Sequence, residues 1–197
     1  MNYGEIKHNL ISLGFAEEDD YTEYEELGYT FDSINRAISM IGVDFPYLEK
    51  FEFDLDDTDT GILYIDMSDR EGFLELADTP VMFEADGQEI FRKFSDYQIE
   101  RGNTIVMKAD DYSGSFRVYY KKQCTQVNAN TPDTFVPELP LKCHHLIPVL
   151  AAYYLWLDDD VAKASTYYNM YEADAAAVNA KDKEPRATGV MPKWGDI

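Results

Sequence analysis

Basic residues are scarce in this sequence. Seventeen Lys and Arg stand against 38 Asp and Glu, a formal net charge of −21. A chain so acidic does not hold nucleic acid by neutralising phosphates. Cysteine is nearly absent: Cys124 and Cys143 are too few for a disulfide framework, and reduced thiols in a cytosol are the expectation. Long apolar runs are missing as well. The longest, Leu146 to Leu157, contains Pro148 and falls short of the ~20 residues a membrane span needs. Residues 1–26 carry acids where a secretory signal needs a basic start and an apolar stretch. No GxSxG sequence is present, no Gly-rich phosphate loop follows a strand, and no CxxC or HxxxH spacing occurs.

Apolar and aromatic residues are ample, at 45% and 14% of 197 residues. That suffices for a core and excludes a disordered chain. The length suggests one domain, or one domain with a sizeable insertion.

The N-terminus reads as two helices around an acidic loop. Ile6, Leu10 and Leu13 recur at helical spacing, and Gly14 can stop the first helix. Glu17, Glu18, Asp19, Asp20, Glu23, Glu25 and Glu26 follow with no basic residue, the pattern of a solvated loop. Thr30 is the expected N-cap of a second helix with the stripe Phe31, Ile34, Ile38 and Ile41, ended by Gly42. From about residue 48 the pattern turns to short aromatic and β-branched runs: Phe51 and Phe53, then Ile62 and Tyr64 with Ile65 and Met67, then residues 81–84, 90–94, 97–100, 103–108 and 115–121. Asp86-Gly87, Gly102-Asn103 and Ser113-Gly114 mark turns between them. Residues 125–140 are a polar linker with three prolines. Leu141 to Leu157 then reads as a helix buried on most sides, starting near Pro148 or kinked there. After Asp158-Asp159-Asp160 comes the strongest helical stripe of the chain: Leu157, Val161, Ala164, Tyr168, Tyr171, Ala175 and Val178. Residues 184–197 hold two Pro and two Gly and read as an extended tail.

Few constellations invite chemistry. Asp54, Asp56, Asp57 and Asp59 precede Gly61. A calcium loop begun at Asp56 would put its bidentate Glu at Met67, and one begun at Asp54 would put Asp59 at the glycine turn. An acidic β-turn fits this stretch better. Cys143, His144 and His145 are neighbours, and neighbours on a helix point ~100° apart, so they do not grip one zinc readily. Carboxylate pairs for hydrolysis are too many among 38 acids to single one out. The pairs Tyr119-Tyr120, Tyr153-Tyr154 and Tyr167-Tyr168 suit core and interface packing.

The second half does resemble a known family. Phe116-Arg-Val-Tyr-Tyr-Lys-Lys leads through Gln123-Cys-Thr and a polar linker to Glu138-Leu-Pro-Leu, His144-His145-Leu146 and Ala151-Ala152-Tyr153-Tyr154. An acidic break, Ala164, Tyr167-Tyr168 and Tyr171-Glu172 complete the series. This is similar to the head-to-tail connector (adaptor, or neck ring) proteins of tailed bacteriophages over residues 116–178. Residues 1–42 resemble them more loosely, through the helix Ile34 to Ile38. The chain departs from the family at Cys124, where Pro is expected, and in a β region larger than the expected hairpin.

The expected fold is α+β: a small helical bundle built from both chain ends, with an antiparallel β insertion in the middle. Its parts are N-terminal helices at 1–47, the insertion at 48–123, a linker and C-terminal helical pair at 124–183, and a tail at 184–197. The resemblance implies a structural virion protein with no catalytic activity and no cofactor or metal. It implies a homo-oligomeric ring, commonly dodecameric, beneath the portal protein, extending the DNA channel toward a stopper or tail-completion protein. DNA would pass without specific binding, no membrane would be involved, and the ring would assemble in the bacterial host cytoplasm. Candidate channel-facing acids are Glu17, Glu18, Asp19, Asp20, Asp54, Asp56, Asp57 and Asp59. In the tail, Val190, Met191, Trp194 and Ile197 are candidate docking residues, since Trp and Met favour interfaces. The competing expectations are a calcium-dependent β binding module and an uncharacterised hydrolase.

Overall fold

The computed structural model describes residues 1–13, 28–85 and 90–183. The acidic loop with Glu17, Glu18, Asp19 and Asp20, the Asp86-Gly87 turn and the tail lie outside them. The described residues form four α-helices: α1 (Tyr3–Ser12), α2 (Tyr29–Asp44), α3 (Leu146–Trp156) and α4 (Val161–Lys183). Between α2 and α3 come β1 (Tyr47–Leu55), β2 (Ile62–Asp66), β3 (Phe73–Ala85), β4 (Arg92–Lys93), β5 (Gln98–Glu100), β6 (Thr104–Lys108) and β7 (Gly114–Lys122).

The strands form two antiparallel sheets, one ordered β1-β7-β3-β4 and the other β2-β6-β5. Alternation decides their faces. In β1, Phe51, Phe53 and Leu55 turn inward while Leu48, Lys50, Glu52 and Asp54 are exposed. In β7, Phe116, Val118 and Tyr120 are buried. With Ile65, Met67, Val81, Phe94, Ile105 and Met107 they make a core shared by the two sheets. Phe116 is its centre, with Phe53 stacked at 5.1 Å and Phe94 edge-on at 5.2 Å. The expected turn at Gly102-Asn103 sits one residue earlier. Arg101 and Gly102 carry the positive φ values, 53° and 78°, and Asn103 N–H donates to Glu100 C=O at 3.3 Å, as in a type I′ hairpin turn.

A second core joins Tyr3, Ile6 and Leu10 of α1, Ile34, Ile38 and Ile41 of α2, most of α3, and Tyr171, Ala175 and Val178 of α4. The helices do not form the bundle expected from the two chain ends. α1, α2 and α4 each pack on α3, and packing among those three is slight. The bulk of the regular structure between them is strand, in two sheets with their own core. The physical reason is the all-round hydrophobicity of α3, whose residues Leu146 to Ala152 are all buried. A helix apolar on every side takes neighbours on every side and becomes a hub.

Helix boundaries shift for local reasons. α2 is capped by Gly28 at φ 81°, not by Thr30, which is buried in its first turn. It runs past Gly42 to Asp44 because Pro46, not glycine, forces the preceding Phe45 out of helical geometry, to φ −130° and ψ 70°. Leu139 and Cys124 of the linker pack over Gly42, where an added Cβ would meet them at ordinary van der Waals distance. Pro148 lies in the first turn of α3, where its missing N–H leaves no bond unmade, and the helix starts there without a kink. The long stripe of α4 shortens: Leu157 and Val161 are exposed, and burial begins at Ala164.

The polar linker is a strap tied along its length. Asn35 of α2 donates to Val127 C=O and accepts from Val127 N–H, both at 2.8 Å. Tyr3 N–H donates to Phe135 C=O at 2.7 Å and Lys7 pairs with Asp133 at 2.9 Å. The Glu138 carboxylate accepts from Lys122 Nζ at 3.1 Å, Thr125 N–H at 3.0 Å and Thr125 Oγ1 at 2.8 Å. Burial pushes the Glu138 carboxyl up, but the Thr125 and Lys122 bonds outweigh it and hold it below its ordinary value.

Candidate functional site

The β part meets the helical part where Tyr47 pairs with Lys122. Its far end, where Leu55 pairs with Gly114, gathers carboxylates from two loops. Asp54, Asp56, Asp57 and Asp59, all expected as candidate acids, are exposed there. The loop after β6 adds Asp110 and Asp111, because Asp110 accepts from Gly61 N–H at 3.0 Å and Ala109 N–H donates to Gly61 C=O at 2.9 Å. Neither acid stood out in the sequence. The signal available was their position just before the Ser113-Gly114 turn, which returns β7 beside β1. Lys108 lies 3.8 Å from Asp110 and 3.4 Å from Asp111 and is the cation of this end among the described residues.

Asp54, Asp56 and Asp59 accept bonds from neighbouring groups. Asp56 accepts from Thr58 Oγ1 and from Thr58 N–H at 2.7 Å, and Asp59 accepts from Asp56 N–H at 2.8 Å. Asp54 accepts from Ser115 Oγ at 2.6 Å. The Thr58 hydroxyl and amide hold the Asp56 carboxyl below its usual range. Among the described residues no three His, Cys, Asp or Glu side chains gather as ligands for a metal. Chemically, the end is a patch of fixed negative charge. It repels phosphate or attracts a basic surface over about a Debye length, ~8 Å at physiological salt.

Other groups singled out in the sequence serve packing. His144 is buried: Nε2 lies 2.9 Å from Leu139 C=O and Nδ1 lies 3.0 Å from the Met1 nitrogen, while His145 is exposed. Cys124 and Cys143 are buried in the helical core. Burial and the nearby Glu138 push the Cys124 thiol up to about 11. Tyr153, Tyr154, Tyr167 and Tyr168 are half-buried against that core, Tyr153 lying 4.9 Å from Tyr154 and 5.1 Å from Tyr168. An open groove at the start of α1 is lined by Asn2 and Glu5, whose side chains cap the helix.

The outward faces of the sheets differ. That of the β1 sheet is laced with ion pairs: Glu52 with Lys50 at 2.8 Å and with Arg117, and Lys121 with Glu75 at 2.6 Å. That of the β2 sheet is apolar at its centre. Register puts Ile65, Ile105 and Ile99 on the inner side and Ile62, Tyr64 and Val106 on the outer one. Ile62 is 63% and Tyr64 61% exposed.

Val190, Met191, Trp194 and Ile197 lie outside the described residues. No helix of the described residues is long and apolar enough to cross a membrane. Compared with known proteins, the chain matches no family model and no curated protein.

Proposed function

We propose that this chain is a head-to-tail connector of a tailed bacteriophage. It forms a ring, dodecameric by family resemblance, beneath the portal protein, and it hands the DNA channel on to a stopper or tail-completion protein. The observation that carries the reading is the meeting of two distant segments. Residues 1–42 and 116–178, the stretches that resemble the family, contribute helices to one core around α3. The β part hangs from that core as an enlarged version of the family's hairpin. An acidic outer end supports a role beside DNA that must slide: Asp54, Asp56, Asp57 and Asp59, together with Glu17, Glu18, Asp19 and Asp20, are the proposed channel-facing acids. Val190, Met191, Trp194 and Ile197 are the proposed docking residues. The proposed location is the neck of the virion, after assembly in the host cytoplasm.

Twelve copies at −21 each bring on the order of −250 charges together, and self-repulsion opposes closure. The isolated chain is therefore monomeric at low salt, and the portal nucleates the ring. Negative-stain microscopy of the chain mixed with the portal protein of the same genome tests this. Ring density below the portal is the expected result. Absence of any complex, or stable rings of the chain alone at low salt, would refute the proposal.

A further inference from the structure

The outer face of the β2-β6-β5 sheet carries an apolar centre that no described element covers. By register its rows are Ile62 with Lys108, then Tyr64, Val106 and Gln98, then Asp66, Thr104 and Glu100. The rim carries two acids and one base at each end, a net negative charge. Asp66, Glu100 and Arg101 are exposed at one end, where Asp66 accepts bonds from Ser68 N–H at 2.9 Å, Ser68 Oγ at 2.7 Å and Asn103 Nδ2 at 3.3 Å. Asp110 and Asp111 flank Lys108 at the other. An apolar centre with an acidic rim fits a partner segment that is apolar and basic.

The chain contains one such segment itself. Between Arg186 and Gly195 it holds Val190, Met191, Lys193 and Trp194, with no acid. We infer that the tail of one copy docks on the outer face of the β2-β6-β5 sheet of the next, Met191 and Trp194 on Ile62, Tyr64 and Val106, with Arg186 and Lys193 toward the acidic rim.

The contact is placed between copies: α4, which carries the tail, packs on α3 and on the turn at Leu141–Cys143 and makes no comparable contact with any strand among the described residues, and dilution separates this from a tail docked on its own copy. A patch that meets a different patch on the next copy is a heterologous contact, which closes into a ring when the rotation allows. The inference deepens the connector reading and rests on it only for the ring; the contact itself is measured without any portal.

The probe is a synthetic peptide of residues 184–197. The host is the full chain bearing Met191→Ser and Trp194→Ser, so that its own tail does not compete. Saturable binding is expected, with new hydrogen-exchange protection in β2 and β6. It should weaken at least tenfold when Ile62→Ser and Tyr64→Ser are added, and hold when Asp54→Asn and Asp56→Asn are added instead. Both serine positions are exposed, and near-UV circular dichroism confirms that the hosts fold. No binding, or binding indifferent to Ile62 and Tyr64, would overturn the inference. So would β2 protection in the wild-type chain that does not change on dilution, since that is a tail docked on its own copy. Failure here leaves portal binding untouched, and failure of portal binding leaves the peptide result standing.

Discussion

Replacing Asn35 by alanine isolates the bond that ties the strap to α2. Asn35 stands in for a strand, donating to Val127 C=O and accepting from Val127 N–H, each at 2.8 Å. Val127 is only 2% exposed. Asn35→Ala therefore leaves a buried donor and a buried acceptor without partners. An orphaned group of this kind costs roughly 1–3 kcal/mol. With some water admitted at the half-exposed Asn35 position, a total of about 2–4 kcal/mol is expected. For a chain of this length that lowers Tm by roughly 5–12 °C. Gln126→Ala is the matched control on the same strap. Its bond to Ser39 Oγ, at 3.2 Å, is exposed, so its cost stays within about 0.5 kcal/mol. Thermal and urea unfolding of the three proteins, followed by circular dichroism, decides the matter. Equal losses in the two variants, or a Tm for Asn35→Ala within a degree of wild type, would refute the reasoning that the strap is held by burial of its backbone groups.

Three further outcomes follow from the same structure. Ala164 is fully buried where α4 begins to pack, so Ala164→Leu overpacks that contact and costs about 1–3 kcal/mol, measured by urea unfolding. The Glu138 carboxyl is held below its ordinary value. Its contribution is present above the unfolded pKa of ~4.3 and is lost as pH falls through the lower folded pKa. The stability gap between wild type and Glu138→Gln should accordingly be full at neutral pH and close in acid, and a gap unchanged at pH 3 would contradict this. With its thiol pushed up to about 11, Cys124 should resist alkylation by iodoacetamide at pH 8 until urea unfolds the chain; rapid labelling of native protein would show the site to be open.

Alternation and helical spacing made most of the elements legible. Phe51 and Phe53, the 103–108 run and the 115–121 run are read from period two because each strand has one buried face. Phe73 to Leu76, the first half of β3, escaped because its register shifts between Leu76 and Val81, and a bulge breaks the alternation that would announce it. The arrangement of the helices escaped for a different reason. α3 is apolar all round, so its sequence states that it has neighbours without stating how many or where. The acidic end was half legible: Asp54, Asp56, Asp57 and Asp59 lie in one stretch, whereas Asp110 and Asp111 join them only through the β6–β7 connection. Leu63 and Ile65 of β2 and Met67 just after it point inward, and Ile62 and Tyr64 outward. An unbroken apolar run hides which phase faces water, and that phase is what creates the exposed face.

The chain crosses between its helical and β parts twice, and both crossings fall at one spot, the paired residues Tyr47 and Lys122. Seen from α2 and the strap, the roughly 75 residues between them are a loop whose ends must be brought within ~5 Å of each other. Closing such a loop in a floppy chain costs on the order of 4 kcal/mol in entropy. The folded sheets remove that cost in advance, since the β1–β7 ladder already holds the two ends side by side. The helical core therefore inherits its closure from the β part and assembles most readily after it. A lesion at Phe116, which belongs to the β core and not to the helical one, would be felt as slow or failed docking of α2 and the strap on α3.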